Sequence, residues 1–147
     1  MRLNGACDAG VEVLWLTRRL LDRIVVRLRA RLEEMNPEWS DREAMEGFFH
    51  RMARSRQEPQ APVPAGDAGE GWLVVAVDVR VQDRAFLLTL RGGDDRSVSV
   101  VFSVDALRQW MGALYRTYRR AEWPLQAWPG WMAEEESPHP PAAMALH

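Results

Sequence analysis

The sequence predicts an α+β fold, a two-layer sandwich in which an antiparallel meander of three to four strands is covered by amphipathic helices. Two periodicities indicate it. Apolar residues alternate with polar ones along much of residues 72–104, which is typical of strands with one face towards a core. They recur at spacings of three and four over residues 17–35, 40–56 and 105–121, which is typical of amphipathic helices. The predicted order is β-α-α-β-β-β-α.

The chain begins with a short segment that shows neither the strand-like nor the helix-like periodicity. Residues 1–10 are therefore expected to form a flexible leader outside the domain. Val11–Leu16 is a strand candidate with a single charge, at Glu12, and no proline. We expect this strand to lie at an edge of the sheet or to join a partner's sheet. Because it lacks the usual protection of an edge strand, an edge here favours pairing with a second copy of the chain.

Two helices are expected next. Thr17 can cap the first, which runs to about Met35. Ser40 and Glu43 have the spacing of a capping box, so Ser40 is expected to begin the second helix, which ends near Arg56. Residues 57–71 hold three prolines and three glycines and are predicted to be a mobile linker.

The second half is expected to hold three strands and one helix. The strand candidates are Trp72–Val81, Arg84–Arg91 and Ser97–Val104, and Asp105 is expected to cap a helix that ends near residue 121. Alternation in the strands predicts that Val75, Val77, Val100 and Phe102 face the helices. Residues 11–132 are thus expected to form one α+β domain, and residues 133–147 are expected to be a disordered tail.

Composition narrows the class of protein. All 19 basic residues are arginine and isoleucine occurs once, which favours a GC-rich bacterial genome. The net charge is −2, there is one cysteine, and no apolar stretch approaches the roughly 18 residues of a membrane span. The first ten residues have no apolar signal region, so a cytoplasmic location is expected.

Residue types that usually carry catalysis are sparse. Cys7 has no neighbouring motif, and His50 is expected to be an ordinary surface or partly buried helix residue. Asp94 and Asp95 are expected to serve a turn rather than a metal site with Glu70. No nucleophile, phosphate-loop or zinc motif occurs, so we expect no enzyme activity, no cofactor and no metal.

The first predicted helix is rich in arginine. Such a basic amphipathic helix can bind phosphates, or it can be a solvated face. The candidate phosphate-binding residues are Arg18, Arg19, Arg23 and Arg27.

Tryptophan is abundant, with seven in the chain. Tryptophan is enriched at interface hot spots, but it also packs within its own domain, and both alternatives stay open. The candidate interface residues are Trp15, Trp123, Trp128 and Trp131.

These observations favour a small non-enzymatic protein that acts by protein–protein contact and is a homodimer. A second hypothesis is a nucleic-acid-binding module that uses the arginine-rich helix. A third is a small-ligand binder or an enzyme with a pocket under the linker.

Overall fold

The computed structural model describes residues 1–7, 10–61, 63 and 70–133, and these residues form an α+β fold, as predicted. Five strands form one mixed sheet in the order β1-β2-β3-β4-β5. The elements are β1 (Arg2–Cys7), β2 (Gly10–Trp15), α1 (Arg18–Glu34), α2 (Arg42–Ser55), β3 (Trp72–Gln82), β4 (Ala85–Gly92), β5 (Ser97–Ser103), α3 (Val104–Arg120) and α4 (Gly130–Ala133).

Side-chain caps set where the long helices begin. The Thr17 hydroxyl accepts a hydrogen bond from the Leu20 amide at 3.2 Å, as predicted for α1. The predicted caps of the other two helices are each displaced by one or two residues. Asp41, not Ser40, caps α2, and Ser103, not Asp105, caps α3. The physical role is unchanged, because each oxygen accepts from a free amide of the first turn.

The segment expected to be a flexible leader is a strand instead. Residues Arg2–Cys7 form β1, which pairs antiparallel with β2 along its whole length. The prediction that Val11–Leu16 is an unprotected edge is therefore wrong, because β1 covers one side of it. On its other side β2 runs parallel to β3, which makes the sheet mixed rather than a pure antiparallel meander.

Strands β3, β4 and β5 form the predicted antiparallel meander. Phe86, Leu88 and Leu90 of β4 are buried on its inner face, the face that the helices cover. In β3 the prediction of inward residues fails at Val75, which is 55% exposed, whereas Val74 is buried. A β-bulge lies here, since Val74 pairs with Gly92 and Ala76 pairs with Arg91. The extra residue shifts the alternation by one position.

Helices α1 and α3 lie against the strands, and α2 packs on α3 and α4. The apolar core draws on the sheet, α1, α3 and α4. The short helix α4 was not expected from the sequence. Residues 62 and 64–69 of the predicted linker and residues 134–147 of the predicted tail lie outside the described residues.

Candidate functional site

A cavity lies between the β1–β2 hairpin and the β3–β5 meander. The two pieces of the sheet pair at one corner, where Leu14 lies opposite Trp72 and Trp15 lies opposite Leu73. Beyond this corner the hairpin and the meander enclose a space of about 300 Å³, which α1 and α3 help to wall. Its volume lies at the lower end of the range of roughly 300–1,000 Å³ that is typical of small-molecule sites in proteins.

The residues that line the cavity are mostly apolar, and their solvent exposure increases from its floor to its mouth. Buried leucines and isoleucine form its floor, and exposed residues of β1 and β5 mark its mouth. The floor residues are Leu14, Leu16, Ile24, Leu88 and Leu90, and the mouth residues are Gly5, Ala6 and Ser99.

Between the floor and the mouth, six large apolar side chains are only half-buried. The inward-facing side chains of β5 pack against the core on one side and border this open space on the other. Among them, the Phe102 ring contacts Trp110 of α3, with ring centroids 5.4 Å apart. These side chains would gain contacts and lose water if an apolar molecule entered. They are Leu3, Val77, Val98, Val100, Phe102 and Trp110.

In the part of the chain that the structure describes, one acidic side chain lies on this wall. Glu12 of β2 accepts a hydrogen bond through Oε2 from the Trp72 indole N–H at 3.0 Å. Trp72 is buried at the corner where the two parts of the sheet meet, so its indole holds the carboxylate in place. Sequence reasoning identified Glu12 only as the single charge of its strand.

A second polar feature is buried between α2 and α3. Arg108 donates to Glu46 Oε2 at 2.5 Å and to the Glu46 carbonyl at 3.3 Å, and both residues are almost fully buried. The Arg108 guanidinium also lies 5.9 Å from the centre of the Trp131 ring, within cation–π range. This pair joins the two helices in the core and does not line the cavity.

His50 packs beside that pair rather than at the surface. Its side chain is 1% exposed and its ring contacts Trp131, with ring centroids 5.2 Å apart. The expectation of an ordinary surface or partly buried histidine is therefore wrong. The sequence offered one signal, because His50 is one helical turn after Glu46 and so lies on the same face of α2.

The four candidate interface tryptophans lie in different surroundings in the fold. Trp128 and Trp131 are 7% and 4% exposed and belong to the domain's own core, which leaves little of either ring for a partner. Trp123 is half-buried and makes an edge contact with Tyr118 at 5.0 Å. Trp15 is 46% exposed on the outer face of the sheet, so the structure does not bring it together with the other three at one surface.

The predicted phosphate-binding arginines all lie in the first part of α1, and none of them lines the cavity. The four residues are solvent-exposed. Farther along the same helix, Arg29 and Arg31 pair with Glu33 and Glu34. The basic surface is thus confined to the first part of the helix, at Arg18, Arg19, Arg23 and Arg27.

The two aspartates of the β4–β5 turn serve the turn, as expected. Asp94 pairs with Arg96 at 2.8 Å in the β4–β5 turn, and Asp95 has the positive φ of 61° that suits a turn. Within the described ranges, no group of three or more histidine, cysteine, aspartate or glutamate residues is arranged to hold a metal ion. The side chain of Cys7 lies outside what the structure describes.

Known proteins offer no template for this site. Comparisons with models of protein families, with curated proteins and with solved structures found no match to this chain. Among the described residues, no helix combines the length and apolar character needed to cross a membrane.

Proposed function

We propose that this protein binds a small, mostly apolar molecule in the cavity between the hairpin and the meander. The observation that carries this proposal is the half-buried apolar wall, which surrounds about 300 Å³ and opens to solvent beside β5. Ligand sites in proteins are typically concave, apolar and supplied with few polar groups. An engineered apolar cavity of about 150 Å³ binds benzene, so this space suits roughly a ring with a short chain.

A titration with 2-phenylethanol, followed by calorimetry and by amide NMR shifts, tests the proposal. We expect saturable binding, with the largest shifts in β5 and in the first turns of α3. Val100→Phe places an aromatic ring in the cavity and should weaken binding of the ligand. Val101→Phe is the matched control, because the next residue along β5 faces outwards and is 66% exposed. Absence of saturable binding to the wild-type protein, or an equal loss of affinity in both variants, would contradict the proposal.

Self-association through the outer face of the sheet is a second candidate function. Trp15 and Leu73 are side by side across β2 and β3 and are 46% and 51% exposed, and the bulged Val75 is exposed nearby. Contiguous exposed apolar side chains favour a protein contact. This patch supports the homodimer predicted from the sequence, although the contact would use the face of β2 rather than its edge.

Light scattering at increasing micromolar concentrations tests this second candidate. We expect a dimer that Trp15→Ser converts to a monomer while its circular dichroism is unchanged. Trp128→Ser serves as the contrast, because Trp128 is buried and its loss should reduce stability first. A wild-type mass that stays monomeric as the concentration rises would exclude the dimer.

The nucleic-acid hypothesis stays a prediction based on the exposed arginines of α1. Binding would depend steeply on salt, and replacement of Arg23 and Arg27 by glutamine would flatten that dependence. We expect fluorescence anisotropy to detect no DNA or RNA binding even at low salt. Salt-sensitive binding that the double variant weakens would favour this hypothesis over the other two.

A further inference from the structure

Among the described residues, three hydrophilic ones line the cavity, and two of them use their side chains elsewhere. Asn4 accepts from Arg2 at 3.1 Å and donates to the Val63 carbonyl at 3.1 Å. The Ser99 hydroxyl is 2.9 Å from that of Thr89, its cross-strand neighbour on the outer face. Both residues therefore border the cavity while their polar groups are satisfied outside it.

Glu12 is different, because its side chain lies on the inner face of the hairpin, towards the cavity. Its cross-strand partner is Gly5, which leaves open space beside it instead of a side chain. The Trp72 indole occupies one lone pair of Oε2, whereas an ionised carboxylate has about four acceptor positions. The side chain is thus oriented by one bond and keeps acceptor capacity for another partner.

The charge of the wall has one sign. Among the described residues that line the cavity, none is basic and Glu12 is the single acid. A ligand with a carboxylate or phosphate would place like charges together at this site, which is unfavourable in a partly desolvated space. A ligand with an ammonium group would instead gain a charge-assisted hydrogen bond.

We propose that the ligand is a small primary amine with an apolar body, and that Glu12 binds its ammonium group while the half-buried wall holds the body. This inference rests on the proposed function, since it assigns a ligand class to the same cavity. The volume of about 300 Å³ suits an apolar body of up to roughly a dozen non-hydrogen atoms, by scaling from the benzene-sized cavity. Glu12 is then the residue that determines specificity.

Three molecules of nearly the same shape test this assignment: 2-phenylethylamine, 2-phenylethanol and phenylacetate. For the wild-type protein at pH 7 we expect the amine to bind at least tenfold more tightly than the alcohol, and the acid to bind weakest. Glu12→Gln keeps an oxygen that can accept from the Trp72 indole but removes the charge. In this variant the amine and the alcohol should bind about equally, whereas Glu12→Asp should retain a preference for the amine.

The outcomes separate this inference from the proposed function. If the alcohol binds in the cavity but the wild-type protein shows no preference for the amine, the ligand class is wrong and the proposed function stands. If none of the three binds, both fail. An amine preference that persists in folded Glu12→Gln would also overturn the assignment. The comparison of the three ligands with the wild-type protein needs no variant. It therefore tests the assignment of an amine ligand even if Glu12→Gln does not fold.

Discussion

Replacing Val100 by phenylalanine tests directly whether the space beside β5 exists. Val100 lies opposite Leu88 in the meander, faces inwards, and is half-buried on the cavity wall. In a close-packed sheet its neighbours would occupy the volume that a larger side chain needs. Here that volume belongs to the cavity, so the ring can enter it without displacing the strands.

The sign of the change in the free energy of unfolding distinguishes an open space beside Val100 from a close-packed interior. Phenylalanine has four more side-chain carbons than valine, and their full burial would contribute about 3 kcal/mol at roughly 0.8 kcal/mol each. Because the wall is half-exposed, we expect Val100→Phe to raise the free energy of unfolding by about 1–2 kcal/mol. In a packed interior the same change would lower it by about 1–3 kcal/mol, because neighbouring atoms must move.

Urea unfolding followed by circular dichroism measures this change. Val74→Phe is the matched control, since Val74 is also an inward-facing valine of the sheet but is 2% exposed and does not line the cavity. We expect the control to lose about 1–3 kcal/mol. If Val100→Phe loses as much as the control, no space exists at β5, and the reasoning behind the proposed function is refuted.

Three further predictions concern the core. Arg108→Met should lower the free energy of unfolding by about 3–5 kcal/mol, because it leaves Glu46 as an unpaired buried charge. Adding Glu46→Leu should recover part of that loss, and a double variant worse than the single one would contradict this account. Phe86→Ala should cost about 3–5 kcal/mol, because Phe86 is fully buried. Phe102→Ala, on the half-buried wall, should cost clearly less, and equal urea midpoints would show that Phe102 is packed. Burial raises the pKa of the Tyr118 hydroxyl above its ordinary value of 10.0, so the unfolded chain loses this proton first as the pH rises. Stability should therefore be complete below about pH 10 and fall above it, and Tyr118→Phe should make urea midpoints less sensitive to alkali.

Local patterns in the sequence predict most of the elements. The stripe of Leu21, Ile24, Val25 and Leu28 predicts the buried face of α1, and these side chains are buried as expected. This works because helical period and capping depend on residues three or four apart, which interact within the element itself. The alternation in β4 predicts its inner face for the same kind of reason.

Pairing between distant strands depends on residues outside each strand's own segment. Nothing in residues 2–7 indicates a strand, but the antiparallel partner β2 satisfies the backbone groups of this segment. The exposure of Val75 likewise depends on β4, against which β3 carries one extra residue. A local pattern does not contain the register of its partner, so the sequence placed Val75 on the wrong face.

The surroundings of the charged and aromatic residues depend on tertiary packing too. Glu46 and Arg108 lie on different helices, 62 positions apart, and become a buried pair because α2 and α3 pack together. Trp128 is buried because the segment after α3 folds back, which brings its ring against Tyr115 and Tyr118. Composition identified these tryptophans as unusual without deciding between a core and an interface.

The sequence by itself determined the α+β class, the main helices and the inward faces of β4 and β5, because these follow from periodicities within each segment. Only the tertiary structure decided that a cavity exists and that Glu12 lies on its wall. The hairpin and the meander that enclose it are separated in the chain by α1 and α2. A cavity is space that remains once distant elements have packed, and its size depends on how the hairpin meets the meander. No spacing of residues within a single segment specifies that distance.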